Sequence, residues 1–299
     1  METPLSWGWT LATQISLCIA LIIAFNIGGD GELENSTFNK NTMKRRASAA
    51  ADVYFLSVRG GFRPLEQQTH LLKQMEKVAK IHDVEFVINI SEFGQDDPLQ
   101  MGIAHFPSLK VPWYTTNTSH GLGKRYFLKQ IPLQAGKILD LIVVDTGSLQ
   151  ADLPKGNGIY TESEHLRWLT QTLEETDGDW RIVVGYDSLI ACAELRDGKK
   201  INIVNKSIYN IYTKFGVNAY MSKQACANHY IREGSISHIG NLGPADEPFA
   251  NGSVIVTREM HNGFFLHRVG LLEIVSYFIN PASVVMSRSI LQQQGKEFM

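Results

Sequence analysis

Short apolar runs alternate with helical segments through much of this 299-residue chain, beginning near Asp52. The runs "DVYFLSV", "VEFVINI", "LKVPWYTTN", "KILDLIVVDT" and "WRIVVG" have the length and the β-branched content of buried strands. Between them, "PLEQQTHLLKQMEKVAKIH" and "ESEHLRWLTQTLEET" carry apolar residues at helical spacing. Alternation of strand and helix is typical of α/β folds. The pattern therefore predicts an α/β domain over residues 52–299.

The C-terminal third differs from the rest. After a predicted helix "SIYNIYTKFG", short apolar runs from Asn218 onward are separated by Gly, Pro, Asn and Asp, which predicts a second sheet. Two mixed sheets packed face to face, with helices outside, would form a four-layer α/β (α+β) sandwich. His229 and His238 fall in the runs "NHYI" and "SISHI" and fit no metal-ligand spacing, so we assign them to strands.

The N-terminal segment contains a long uncharged run. Residues 7–29 carry no charged side chain, and a helix needs roughly 20 apolar residues to cross a bilayer. We expect a single-pass membrane anchor over residues 1–29, followed by a disordered linker over residues 30–51. A cleaved signal peptide remains an alternative, but only Glu2 precedes the apolar run, where a signal peptide has positive charge. A buried soluble helix is the third alternative.

Two signals disagree about the side of the membrane on which the domain lies. The basic cluster "MKRR" favours a cytosolic C-terminus. Asn-x-Ser/Thr sequons favour a luminal or extracellular glycoprotein, and this is our expectation; they lie at Asn35, Asn117, Asn205 and Asn251. A further sequon at Asn89 falls inside a predicted strand, so we expect no glycan there. Cys192 and Cys226 could form a disulfide or remain two buried thiols.

The charge balance excludes one class of partner. The formal net charge is −2, and no basic stripe stands out, so the sequence gives no basis for binding nucleic acid.

Four stretches carry a family resemblance. In order, "VEFVINISEFGQDDPL", "VPWYTTNTSHG", "LIVVDTGSLQ" and "LRWLTQTLEETDGDWRIVVGYDSLIAC" resemble conserved strands and loops of the small purple acid phosphatases, within the calcineurin-like metallophosphoesterases. The resemblance runs from about Asp52 to about Tyr277. It implies the four-layer fold and an acid phosphatase centre. In that centre, ferric iron and a second divalent metal bind the phosphate ester and activate a water molecule.

The chain departs from this family at most metal-ligand positions. Those positions are occupied here by Gly60, Glu92, Gln95, Ser119, Tyr186, Gln224 and Cys226. Asp187 stands at a substrate-facing histidine position. His120 alone is retained, matching the histidine that assists the leaving group in the family.

Two classes of function follow from these departures. The first is a catalytically impaired or inactive domain without a metal cofactor, which binds a protein partner or a phosphorylated or other anionic ligand through Arg59, Arg63, Lys223 and His120. The second is an acid phosphatase with a remodelled metal site. In that alternative Glu92 and Asp187 would be the ligands, with Tyr186 and Cys226 as further donors.

Overall fold

A computed structural model describes residue 14 and residues 52–116, 126–147, 164–195, 198–225, 230–243 and 262–293. The chain divides into two units, residues 1–49 and 50–299, and every element described below belongs to the second. The predicted anchor and linker, residues 1–51, lie outside the described residues, except for residue 14. No helix within the described ranges is long and apolar enough to span a membrane.

Two six-stranded mixed sheets form the domain. Sheet one has the order β14-β13-β12-β1-β2-β3. Its strands are β1 (Val53–Arg59), β2 (Phe86–Ile90), β3 (Trp113–Thr115), β12 (Phe264–Val269), β13 (Glu273–Ile279) and β14 (Val285–Gln292). Within it, β1, β2 and β3 run parallel to one another. Strand β12 pairs antiparallel with β1, β13 with β12, and β14 with β13.

Sheet two has the order β10-β11-β9-β6-β5-β4. Its strands are β4 (Phe127–Pro132), β5 (Ile138–Val143), β6 (Trp180–Val184), β9 (Ala219–Ser222), β10 (Tyr230–Glu233) and β11 (Ile236–Gly240). A separate two-stranded ribbon consists of β7 (Ile190–Leu195) and β8 (Gly198–Ile203). The central strands β5, β6 and β9 are parallel, so their carboxyl ends lie at one edge of the sheet.

The C-terminal strands correct one expectation. They do not form a second sheet of their own: β9, β10 and β11 complete sheet two, whereas β12, β13 and β14 complete sheet one. The reason is that β12 pairs antiparallel with β1, from Val53 opposite Val269 to Val58 opposite Phe264. Apolar periodicity identifies a strand and its buried face, but it does not specify which edge the strand joins.

Three apolar clusters confirm the four-layer arrangement. Side chains of both sheets, including Phe55 and Trp180, fill the layer between the sheets. Helix α1 (Leu65–His82) packs Leu72 and Met75 on the other face of sheet one, where the short helix α2 (Pro98–Met101) adds Leu99. Helices α3 (Glu164–Glu175) and α4 (Lys206–Lys214) cover the other face of sheet two. This architecture is consistent with a metallophosphoesterase-like sandwich.

Candidate functional site

Tyr186 joins the two sheets at the edge where their parallel strands end. It lies two residues after β6 and is 9% exposed. Its hydroxyl accepts a hydrogen bond from Arg59 Nη2 at 2.8 Å and donates one to Glu92 Oε2 at 3.1 Å. Arg59 ends β1, and Glu92 follows β2 by two residues. The phenol therefore connects a loop of sheet two to the end of β1 and to the loop after β2 in sheet one.

Two cations lie over the Tyr186 ring. Arg59 Cζ and Lys223 Nζ are each 4.5 Å from the ring centroid, within the range for cation–π attraction. Lys223 also pairs with Asp187 Oδ1 at 2.9 Å. We call Arg59, Glu92, Tyr186, Asp187 and Lys223 the Tyr186 cluster. Its two cations and two carboxylates cancel in formal charge.

The loop that carries Tyr186 and Asp187 is held by its neighbours. Thr146 Oγ1 accepts the Asp187 N–H at 3.1 Å and donates to Asp187 Oδ2 at 3.0 Å. The Tyr220 hydroxyl donates to the Asp187 carbonyl at 2.7 Å. A Cβ at Gly185 would lie 2.3 Å from that hydroxyl, so this position requires glycine. These contacts fix the orientation of Asp187 toward Lys223.

Gly60 has no room for a side chain. A Cβ built there would lie 2.5 Å from both Asn89 Oδ1 and Asp97 Oδ2, and 2.8 Å from Ser91 Cβ. The Gly60 N–H donates to the Ile90 carbonyl at 3.0 Å, which holds the backbone against β2. Neighbouring polar groups therefore fill the space that a side chain at this position would need.

Asp97 was not identified from the sequence as a site residue. Its carboxylate is fully buried and accepts hydrogen bonds from the Gly61 N–H at 2.7 Å and from Ser91 Oγ at 2.6 Å. It also caps the short helix α2 (Pro98–Met101) by accepting the Leu99 N–H at 2.9 Å. The local signal was an aspartate directly before proline, a typical helix start.

The three predicted anion-binding cations have internal partners. Arg59 donates to the Ile90 carbonyl as well as to Tyr186, and Lys223 pairs with Asp187. Arg63 is buried and donates to the Arg59 carbonyl at 2.5 Å and the Gly61 carbonyl at 3.4 Å. Arg63 therefore braces the loop after β1, while Arg59 and Lys223 meet at Tyr186.

The other predicted site residues are not brought into this cluster. Gln95 is exposed in a 3-10 turn, Gly94–Asp96, and Gln224 is half-buried after β9. Ser119, His120, Cys226 and His229 lie outside the described residues. His238 lies in β11, as predicted for a sheet residue, and burial lowers its pKa to about 4.

Two sequons can be placed. Asn89 lies in β2 and is fully buried, which confirms that it is part of a strand. Asn205 corrects an expectation: it is buried, and its side chain caps α4 by accepting the Ile208 N–H at 3.1 Å. A glycan would be attached to Asn205 Nδ2, which is also buried, so the folded domain leaves no space for it. Asn35, Asn117 and Asn251 lie outside the described residues.

The described residues do not fit a dinuclear metal centre. In the part of the chain with assigned structure, no three His, Cys, Asp or Glu side chains come together in a group that could hold a metal ion. Glu92 accepts from the Tyr186 phenol, and Asp187 pairs with the Lys223 ammonium group. Gly60 has no side chain that could bind a metal, and its neighbours leave no room for one.

Comparison with solved structures supports the fold. GAP50, described as the anchor in the inner membrane complex of Plasmodium, is 14% identical, with a TM-score of 0.58; the match covers 83% of this chain and 90% of that chain. The two proteins share a fold. PhoD matches at 9% identity and a TM-score of 0.45, over 81% of this chain and 68% of that chain. A predicted phosphoesterase from Streptococcus pneumoniae matches at 10% identity and a TM-score of 0.37, over 82% and 99%. No family model and no curated protein sequence matches the chain.

Proposed function

We propose that this protein is a membrane-tethered, purple acid phosphatase-like domain that does not hydrolyse phosphate esters and instead binds a protein partner. The observation that carries the proposal is the Tyr186 cluster. Its phenol, guanidinium and ammonium groups occupy loops where the resembling enzymes present metal ligands. The domain would belong on the luminal or extracellular side, held by an anchor within residues 7–29.

The chemistry of the cluster argues against hydrolysis by the family mechanism. Two-metal hydrolysis needs cations with open positions for the phosphate and for an activated water molecule. Here the positive charges are those of Arg59 and Lys223, which cannot bind and acidify a water molecule as a metal does. Arg59 already donates to Tyr186, and Lys223 already pairs with Asp187.

The same charges favour a protein over a small anion as the ligand. A phosphorylated ligand would compete with Asp187 for Lys223, and the cluster carries no excess formal charge to attract it. The likeness to GAP50 adds support, because a protein of the same fold is described as an anchor in a membrane complex. Anchoring requires a binding surface and a membrane attachment but no catalytic centre.

The proposal is tested on the full-length protein, extracted in detergent without chelator. We expect metal far below one equivalent by mass spectrometry, no hydrolysis of p-nitrophenyl phosphate between pH 4 and 8, and an unfolding temperature that EDTA does not change. Near-stoichiometric iron, zinc or manganese would overturn the proposal if Glu92→Ala combined with Asp187→Ala abolished it. The matched control is Glu66→Ala with Glu174→Ala, which removes two exposed helix carboxylates.

The side of the membrane is tested separately. Mobility that increases after endoglycosidase treatment of the cellular protein would support a luminal or extracellular domain. Digestion of the domain by protease added to the cytosolic face of sealed vesicles would contradict it.

A further inference from the structure

The four edge strands of the two sheets are not equally protected. Edge strands expose unpaired backbone groups, and proteins usually shorten or charge them. Strand β3 has three residues, and β10 has four, including Arg232 and Glu233. Strand β4 carries Lys129 and ends in Pro132. These are common devices that prevent pairing with another strand.

Strand β14 is the longest of the four and has fewer of these devices. It has eight residues, "VMSRSILQ", with no proline and one charged residue, Arg288. Its apolar side chains Val285, Met286 and Ile290 are 54%, 41% and 42% exposed. No described strand pairs with β14 on the side away from β13. An apolar edge of this length is a template for an additional strand.

The hydrogen-bond alternation identifies the open backbone groups. The Gln293 N–H donates to the Leu272 carbonyl at 2.9 Å, and the register places Gln292 opposite Glu273. In an antiparallel pair, backbone groups of successive residues point alternately toward and away from the neighbour. The N–H and carbonyl groups of Arg288, Ile290 and Gln292 therefore point away from β13, and their side chains share one face of the sheet.

We propose that β14 is a docking site for an extended segment of a partner protein, which adds antiparallel to sheet one as its seventh strand. Backbone hydrogen bonds to Arg288, Ile290 and Gln292 would give affinity, and side chains on the same face would give specificity. Arg288 lies 6.0 Å from the Tyr277 ring centroid and forms no ion pair with a described carboxylate. A carboxylate therefore belongs opposite Arg288, and an apolar residue belongs opposite Ile290.

This chemistry defines a short motif. Because the added strand runs antiparallel, the residue opposite Ile290 precedes the residue opposite Arg288 by two positions. The partner segment thus reads apolar, any residue, then Asp or Glu, without proline. The site lies outside the cleft, so it holds whether or not the cleft carries a metal.

The test uses a fluorescent nine-residue peptide, Thr-Val-Thr-Val-Thr-Glu-Thr-Val-Thr, and a twin with Lys in place of Glu. Binding to the full-length protein in detergent is measured by anisotropy. We expect Arg288→Glu to weaken binding of the Glu peptide about fivefold to tenfold and to strengthen binding of the Lys peptide by a similar factor. Ile290→Pro removes an outward N–H and should abolish binding of both peptides. Lys129→Glu, on edge strand β4, is the matched control and should change neither affinity.

Hydrogen exchange provides an independent readout. The Glu peptide should slow exchange of the Arg288, Ile290 and Gln292 amides. The proposal is overturned if wild-type protein binds neither peptide, or if Arg288→Glu leaves the preference for the Glu peptide unchanged. It is also overturned if these amides are protected before peptide is added, because the edge would then already be covered by this chain or by a second copy.

Discussion

Lys223 contacts Tyr186 through both its backbone and its side chain: its N–H donates to the Tyr186 carbonyl at 3.0 Å, and its ammonium group lies 4.5 Å from the ring centroid. The backbone bond connects the loops after β6 and β9, which are neighbours in sheet two. The ring then extends to Arg59 and Glu92 of sheet one. A few contacts made by Tyr186 therefore link the two sheets at the edge where their parallel strands end.

Replacing Tyr186 should separate the contribution of the ring from that of the hydroxyl. Tyr186→Phe keeps the cation–π contacts and loses two hydrogen bonds, so we expect a loss of about 1 kcal/mol of unfolding free energy. Tyr186→Leu also loses both cation–π contacts and should cost about 3 kcal/mol. Urea unfolding of the two variants measures the difference. Equal losses would show that the cations contribute nothing through the ring.

Gly60→Ala should destabilise the domain strongly, although it adds only one methyl group. The Cβ would overlap Asn89 and Asp97, and relieving such overlap typically costs about 2–3 kcal/mol. Gly270→Ala is the control, because its Cβ would lie 3.3 Å from the Glu273 carbonyl oxygen and needs only a small shift. Thermal unfolding compares the two variants. A Gly60→Ala protein as stable as the wild type would show that the loop after β1 is looser than described.

Asp97→Asn should weaken the loop beside the cluster. Both carboxylate oxygens of Asp97 now accept hydrogen bonds. In asparagine one of these oxygens becomes an NH₂ group, which would face the Gly61 N–H or another of the present donors and could not accept from it. We expect a loss of about 2–3 kcal/mol, because the replaced bonds involve a buried charge. Asp96→Asn changes an exposed neighbour and should stay within about 0.5 kcal/mol of wild type. Denaturant titrations of both variants test this, and similar losses would contradict a special role for Asp97.

Acid should destabilise the domain through two buried histidines. Burial lowers the pKa of His267 to about 3 and that of His238 to about 4, both from an ordinary 6.5. Below pH 6.5 the unfolded chain takes up protons that the folded chain does not, so stability is greatest above pH 6.5. It should fall between about pH 6.5 and pH 4, by about 1.4 kcal/mol per pH unit for each histidine.

The hydrogen bonds of His267 show which nitrogen of its neutral ring carries the proton. Ser57 donates its proton to Asn241 Oδ1, so it accepts from His267 Nε2–H at 2.8 Å, and Ser276 Oγ then donates to Nδ1 at 2.7 Å. His267→Gln should reduce the slope of unfolding free energy against pH by about half. His70→Gln, at an exposed helix position, should leave the slope unchanged. An unaltered slope in His267→Gln would exclude His267 as a source of the acid sensitivity.

The sequence predicted much of the architecture because local patterns carried it. Helix α1 was predicted from its apolar spacing, and β1, β2, β5 and β6 from short β-branched runs. It did not identify β4, the β7–β8 ribbon or the division of the C-terminal strands between two sheets. Strand β4 reads "FLKQIP", in which Lys and Pro mask the strand pattern. Strand partners depend on pairing over long sequence separations, which local composition does not encode.

The sequence by itself determined the residue types at Gly60, Tyr186 and Asp187, since residue identity is independent of geometry. It also contains the uncharged N-terminal run, and its strand and helix pattern predicted the four-layer sandwich. Only the tertiary structure decided which residues Gly60, Tyr186 and Asp187 contact. Arg59, Tyr186 and Lys223 are far apart in the chain, and their contacts arise because parallel strands of both sheets end at one edge. The open edge of β14 was likewise decided by strand order, because whether a strand is central or terminal depends on which partners pair with it.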